Sequence, residues 1–397
     1  MFDISTLLQR YKKCTNFSSF DVETTGLKPY SGDRIFSFCY GDIQCCHVNR
    51  IDQDFSAMIT TDNLISCIQN DEDIWQYVTK YGKKIRTVMD NKNLLNKIIT
   101  DSHINNIALV IHNCKFEKGF CKVHNLDFPD ELIIHDPMLM SRLLDNQSPS
   151  HELGRLTQRL GGDPLGKMTA IDDRVAKEAK ALGGYQFVDI NLMTEYQLYD
   201  AVRPLLLQAV LWPEIQSRAN LLEDYIWEVQ TALVTQSIEE AGIIIHQENC
   251  VKLLQWLDIE IEAMQHQCFE LIGEYINMSA DKQIERVLFK KLNFPPVTFS
   301  EKGRAKTDKD VLFKLKEMYD HPFLDLIIKW RSYTDGRTNI QSYLDLMDDS
   351  GKIHTTLNTC QARTQRQSSS GPNLQNVSKD SALKNPFPVP ARQCFTC

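Results

Sequence analysis

The chain has 397 residues, 42% of them hydrophobic and 24% charged, with only 17 glycines and 14 prolines. That length exceeds one typical domain of roughly 100–200 residues, and the composition excludes a disordered or fibrous protein. The formal charge of −8 argues at first sight against a nucleic-acid partner, but it is unevenly spread. Residues 1–280 carry 25 basic against 39 acidic side chains, and residues 281–397 carry 19 against 13. From Gly351 onward six basic residues face a single acid, Asp380, among many Ser, Thr, Asn and Gln. Such a stretch suits contacts to phosphate and sugar.

No run approaches the roughly 18–20 apolar residues that span a bilayer, and the start lacks a basic segment followed by an apolar one, so no membrane partner is expected. The twelve cysteines are scattered and include the adjacent Cys45 and Cys46, a poor pattern for a disulfide framework. A reducing, cytoplasmic setting is the expectation. Cys394 and Cys397 form a C-x-x-C with no second pair at zinc spacing, so a structural zinc is not expected.

In chain order, Ser18 to Val22, Arg34 to Tyr40 and Ile107 to Ile111 read as strands, while Asn93 to Thr100 and Met138 to Leu144 have helical spacing. Their alternation predicts an α/β domain over residues 1–210. After Pro204 the pattern predicts long amphipathic helices: Leu205 to Ala241, Gln247 to Tyr275, then helices around Asp308 to Tyr319 and Phe323 to Met347. A mainly helical domain is expected over 211–350. A short strand, Lys352 to Leu357, opens the remainder, 351–397, which continues as a polar loop and a Pro-rich end.

Three acidic motifs carry the chemistry. In Phe20-Asp21-Val22-Glu23, the two acids lie two apart on a strand and project from one face. Like charges so placed repel unless a cation joins them, and hard oxygen ligands suit Mg²⁺ or Mn²⁺. Val110 to Glu117 reads as a strand entering a helix with Glu117 near its start. Tyr196 and Asp200 are four apart, on one helix face.

In this order D-x-E, H-N-x-K-F-E and Y-x-x-x-D resemble the three motifs of the DnaQ-like 3′–5′ exonucleases, as found in the proofreading part of the family A DNA polymerases. The resemblance implies a ribonuclease H-like α/β fold and phosphodiester hydrolysis with two divalent ions about 4 Å apart. Carried over motif by motif, it implies Asp21, Glu23, Glu117 and Asp200 as metal ligands and Tyr196 as the group orienting the attacking water. It implies Asn113 and Leu27 as contacts to the terminal nucleotide, Leu27 as a wedge. Glu117 departs from the family, which has Asp there. The extra methylene moves the carboxylate by more than 1 Å, a displacement that can lower a rate on the order of 10²-fold. Asp136 to Met140 and His151 to Leu156 look like the family's structural helices.

Thr364 to Asn376 closely resembles the T-G-R-L-S-S-x-x-P-N-L-Q-N loop of the family A palm, which lies against the minor groove of primer-template DNA. That resemblance implies DNA contacts by Arg366, Asn373 and Gln375, with Gln365 and Gln367 replacing the family's Gly and Leu. Weaker matches at Ile238 to Ile243, Ser279 to Leu288 and Phe299 to Leu312 follow the entry to the polymerase part and its helical thumb. The palm motifs D-Y-S-x-x-E-L-R and H-D-E do not occur in this sequence. The resemblance thus predicts an exonuclease, a helical thumb and an incomplete palm. Its partners would be primer-template and single-stranded 3′ ends, and two explanations compete for the missing palm motifs: a split polymerase whose second chain carries palm and fingers, or a fragment of a longer product. The competing readings are an RNase D-like RNA exonuclease and a catalytically degenerate DNA-binding assembly subunit of a split polymerase.

Overall fold

A computed structural model describes residues 4–42, 44–52, 56–60, 91–163, 165–359, 364, 366–375, 377 and 386. Gln365, Asn376, Pro388, Pro390 and the Cys394 to Cys397 motif lie outside them. The chain divides into two compact units, Met1–Ala241 with Leu357–Ser368, and Gly242–Thr356 with Ser369–Cys397.

The first unit is α/β. In chain order its elements are α1 (Ile4–Lys13), β1 (Phe17–Thr24), β2 (Ile35–Gly41), β3 (Cys45–Arg50), β4 (Ser56–Thr60), α2 (Asn91–Ile104), β5 (Ala108–Val110), α3 (Cys114–Val123), β6 (Ile134–His135), α4 (Pro137–Leu144), α5 (Leu153–Arg159), α6 (Lys167–Leu182), α7 (Ile190–Gln216) and α8 (Ala219–Ala241). Among the described residues, six strands form one mixed sheet in the order β4-β3-β2-β1-β5-β6. β1 runs antiparallel to β2 and parallel to β5.

Strand alternation decides which side chains face which layer. Phe20 and Val22 enter a core shared with α2, α3, α4 and α8. Asp21 and Glu23 therefore project to the opposite face. On that face α6 and α7 pack through Met168, Ile171, Val175, Leu198, Tyr199 and Val202 against Phe36, Cys39 and Val48 of the sheet. Two buried hydrogen bonds pin α7 there: the Ser19 hydroxyl donates to the Ala201 carbonyl, and the Ser37 hydroxyl donates to Gln197 Oε1 at 2.9 Å.

Two features differ from the periodicity. The expected single helix from Leu205 to Ala241 is two helices, broken at Ser217 and Arg218, and the first of them already starts at Ile190 and runs through Pro204 and Pro213. The Asp189 side chain caps its start, accepting from the backbone of Asn191 and Leu192, and packing on both sides carries it past the prolines that locally argue for a break. Nor does the packing divide near residue 210. Leu222, Tyr225, Ile226, Val229 and Ala232 of α8 are buried in the same core as β1 and α3, so the first unit extends to Ala241.

The second unit is mainly helical, with β7 (Ile243–Ile244), α9 (Gln247–Ile272), α10 (Asp281–Arg286), α11 (Lys309–Met318), α12 (Pro322–Asp345) and β8 (Lys352–Ile353). β7 and β8 pair antiparallel, Ile243 opposite Ile353. One end of its core joins Met264, Cys268 and Ile272 to Leu312, Phe323, Ile327 and Trp330. The other joins Cys250, Leu253 and Leu257 to Ile340, Tyr343 and Leu374. No helix among the described residues is long and apolar enough to cross a membrane.

Candidate active site

The strand face of β1 and the middle of α7 build the site. Asp21 and Glu23 come from β1, and Asp200 lies on the turn of α7 that Ser19 holds against the sheet. One carboxylate oxygen from each of the three lies within 4.8 Å of the others. Residues separated by almost 180 positions thus meet in one cluster.

Tyr196, one helical turn before Asp200, is hydrogen-bonded to that carboxylate through its hydroxyl. Burial, then the charges of Asp200, Glu23 and Asp21, push the Tyr196 hydroxyl far above its ordinary pKa. It therefore keeps its proton and acts as a donor.

Glu117 sits in the first turn of α3, whose start is fixed by Asp136: the Asp136 carboxylate accepts from the backbone N–H groups of Asn113 (3.1 Å) and Cys114 (2.9 Å). Asn113 takes the left-handed conformation at φ 70°, which Asn adopts more readily than most residues. The Glu117 side chain is 3% exposed, and its Oε2 is buried without a hydrogen-bond partner. It is not one of the trio within 4.8 Å, yet the charge of Asp21 acts on it, second only to burial, to raise its pKa.

A basic residue completes the arrangement. Arg203, one turn beyond Asp200 and 2% exposed, donates from Nη1 to Asp200 Oδ1 at 2.8 Å. It also grips Asp172 of α6 through two bonds of 3.0 and 2.9 Å. Sequence reasoning missed both Arg203 and Asp172; the signal for the first was its i, i+3 spacing from Asp200 on a helix.

Electrostatically the site is a concentration of carboxyl groups, with Glu23 and Asp200 buried and Asp21 half-buried. Burial raises the pKa of Asp21, and the charge of Asp200 adds to it while Arg203 opposes it. Glu23 is raised by burial and then by Asp21 and Asp200. Asp200 is raised by burial, with Arg203 and Tyr196 pulling the other way. Asp172 is pushed up to about 6, by burial first.

Because these native pKa values lie above the unfolded ones, the stability they confer is present below about pH 4 and is lost as the pH rises through the raised values. In EDTA, Asp21→Asn/Glu23→Gln is therefore expected to melt higher than wild type at pH 8, with the gap closing toward pH 4. Mn²⁺ should raise the melting temperature of wild type and leave the variant unmoved. A variant that melts lower than wild type at pH 8 in EDTA would contradict this electrostatic account.

The remaining expected residues are placed as follows. Leu27 lies on the loop after β1 and is 80% exposed, so it is not a core leucine. That loop is closed by Asp33, whose carboxylate accepts from the Lys28 N–H at 2.8 Å. Gly26 makes room for it, since a Cβ there would stand 2.3 Å from Asp33 Oδ2. Arg366 is an exposed residue of the first unit. Asn373 and Gln375 belong to the second unit, where Asn373 Oδ1 braces the loop by accepting from the Ser369 hydroxyl and the Gln375 N–H. His151 bonds Ser141 through Nδ1 at 2.9 Å, a bracing role.

Comparison with known proteins shows what the chain is similar to. Residues 247–397 match the model of DNA polymerase family A, and across most of the chain the relatives are DNA polymerases I. The chain is a relative of the family A DNA polymerases. DNA polymerase I of Treponema pallidum is 26% identical over 373 residues, 90% of this chain and 36% of that protein. The Pseudomonas aeruginosa enzyme is 28% identical over 254 residues, covering 62% of this chain and 27% of its own. Thermostable DNA polymerase I of Thermus thermophilus is 33% identical over 193 residues, 45% and 22% respectively. The chain thus spans about a third or less of the length of these curated family A relatives. Among solved structures, the POL domain of Pol1 from M. smegmatis, in complex with DNA primer-template and dNTP, shares the fold with a TM-score of 0.66 at 20% identity. That match covers 96% of this chain and 56% of the other.

Proposed function

We propose that the first unit is a ribonuclease H-like (DnaQ-like) 3′–5′ exonuclease that removes nucleotides from DNA 3′ ends. It would serve as the proofreading part of a family A polymerase in replication or repair. The observation that carries this reading is the convergence of Asp21, Glu23 and Asp200 within 4.8 Å. Carboxylates at that separation repel one another unless they are protonated or joined by a cation, and Arg203 reaches only Asp200 of the three. The orphaned buried Oε2 of Glu117 and the all-oxygen donor set suit Mg²⁺ or Mn²⁺.

Asp21, Glu23 and Asp200, with Glu117 beside them, would hold two such ions, which when bound activate water and neutralise charge developing on the phosphoryl group. The protein's own groups do the positioning. Tyr196 presents a proton donor beside Asp200 and orients the attacking water. Leu27 projects as an apolar wedge against the terminal bases, and Asn113, at the head of α3, contacts the last nucleotide. Arg366, Asn373 and Gln375 lie in the polar segment that resembles the family's minor-groove loop, which favours DNA over RNA as substrate. The second unit corresponds in this reading to a helical thumb and the opening of a palm.

Digestion of a 5′-labelled, 3′-mismatched primer-template in Mg²⁺, in Mn²⁺ and in EDTA, beside an RNA strand of the same sequence, tests the proposal. Stepwise shortening of the DNA that stops in EDTA is expected. Preference for RNA would move the assignment to an RNase D-like enzyme. The displacement of Glu117 from the trio favours one further reading, a DNA-binding subunit that does not cut. Salt-dependent binding of the duplex with no shortening in either metal would establish that alternative.

A further inference from the structure

The segment joining α6 to α7 has a feature that the carboxylate chemistry does not use. α6 ends at Leu182, Gly183 turns left-handed at φ 88°, and Tyr185–Phe187 forms a single 3₁₀ turn. The turn is fastened at both ends. Val188 is buried, the Asp189 N–H donates to Glu178 Oε1 of α6 at 2.8 Å, and the Gln186 carbonyl accepts from Arg50 of β3 at 3.4 Å. Yet Phe187 is 60% and Tyr185 38% exposed. Two rings two residues apart on a pinned turn, both left in solvent, are not placed by the needs of the core.

Their neighbourhood indicates what they meet. The turn directly precedes α7, on which Tyr196 and Asp200 lie about 9 and 15 Å from the helix start at 1.5 Å per residue. After burial, the charges of Glu23, Asp172 and Asp200 raise the Tyr185 hydroxyl's pKa. The turn also packs beside β1, the strand that carries Asp21 and Glu23, so a strand with its 3′ end at the carboxylates would run its last one or two nucleotides along it. The two rings offer no positive charge to a phosphate, so the uncharged part of the nucleotide is what settles on them. Every base offers a π-face, so such a contact is independent of sequence.

We propose that the Tyr185–Phe187 turn is a stacking shelf for the terminal bases of the strand whose 3′ end occupies the carboxylate site. This rests on the exonuclease reading of that site, and the test separates the two. The full chain carrying Asp21→Asn, to prevent cutting, would be titrated with a 5′-fluorescent single-stranded oligonucleotide and anisotropy recorded. Adding Tyr185→Ala or Phe187→Ala should weaken binding about 5- to 150-fold, the range measured for removal of one base–aromatic stack, and adding both should weaken it at least as much. The same variants would then be titrated with an oligonucleotide whose two 3′-terminal residues are abasic, where the difference from the Asp21→Asn parent should vanish.

Unchanged affinity for the intact oligonucleotide would overturn the shelf. So would a loss that persists at the abasic end, because it would reflect backbone contacts or folding. The exonuclease reading fails separately, by absence of metal-dependent shortening in the chain with Asp21 intact.

Discussion

Asp21→Asn is expected to reduce metal-dependent nucleotide release on the order of 10³-fold or more while leaving the protein folded. Asp21 is the middle of the cluster in two senses: it shares the β1 face with Glu23, and its charge also acts on Glu117 across from it. Asparagine keeps the shape and removes the charge, so the change acts on cation binding rather than on packing. Loss of a ligand from such a site withdraws several kcal/mol of transition-state stabilisation, and each 1.36 kcal/mol is about tenfold in rate. The measurement is single-turnover digestion of the mismatched primer-template by both proteins, with circular dichroism to show that both are folded. Retention of activity to within tenfold would place the chemistry elsewhere on the molecule. The electrostatic account sharpens the contrast, because the same change relieves repulsion and should not destabilise the metal-free protein.

Arg203→Met has the opposite character: a loss of stability of about 3–5 kcal/mol, the usual consequence of removing one partner from a buried ion pair. Arg203 is almost fully enclosed and joins Asp200 to Asp172. Methionine fills much of the aliphatic volume but leaves both carboxylates without their cation. Asp200 is then buried among Asp21 and Glu23 with no internal counter-charge at its Oδ1. Urea denaturation of the two proteins in EDTA gives the difference directly. A change below about 1 kcal/mol would mean that water or a rearranged side chain replaces the guanidinium. Asp172→Asn offers a milder version, since Arg203 keeps Asp200 and one neutral acceptor.

These two variants mark the boundary between what local sequence encodes and what packing adds. Asp21 and Glu23 were legible because a strand's two-residue period puts them on one face whatever the strand packs against. The pairing of Tyr196 with Asp200 was legible for the same kind of reason, the period of a helix. The strand at residues 108–110 entering a helix with Glu117 in its first turn was readable from composition, as was the basic, amide-rich stretch after Gly351.

Periodicity states which face a residue occupies and is silent about which distant face it will meet. Only the crossing of α7 over β1, held by Ser19 and Ser37, brings Asp200 to Asp21. Only the α6 layer supplies Asp172 to Arg203 and leaves Tyr185 and Phe187 in solvent. Glu117's enclosure follows from Asp136 fixing the start of α3, a contact between residues more than twenty positions apart. The helix running through Pro204 and the allegiance of α8 to the first core were likewise settled by burial. Local propensities are worth about 1 kcal/mol per residue or less, apart from proline at roughly 3 kcal/mol in a helix interior, and long-range packing of apolar surface outweighs them.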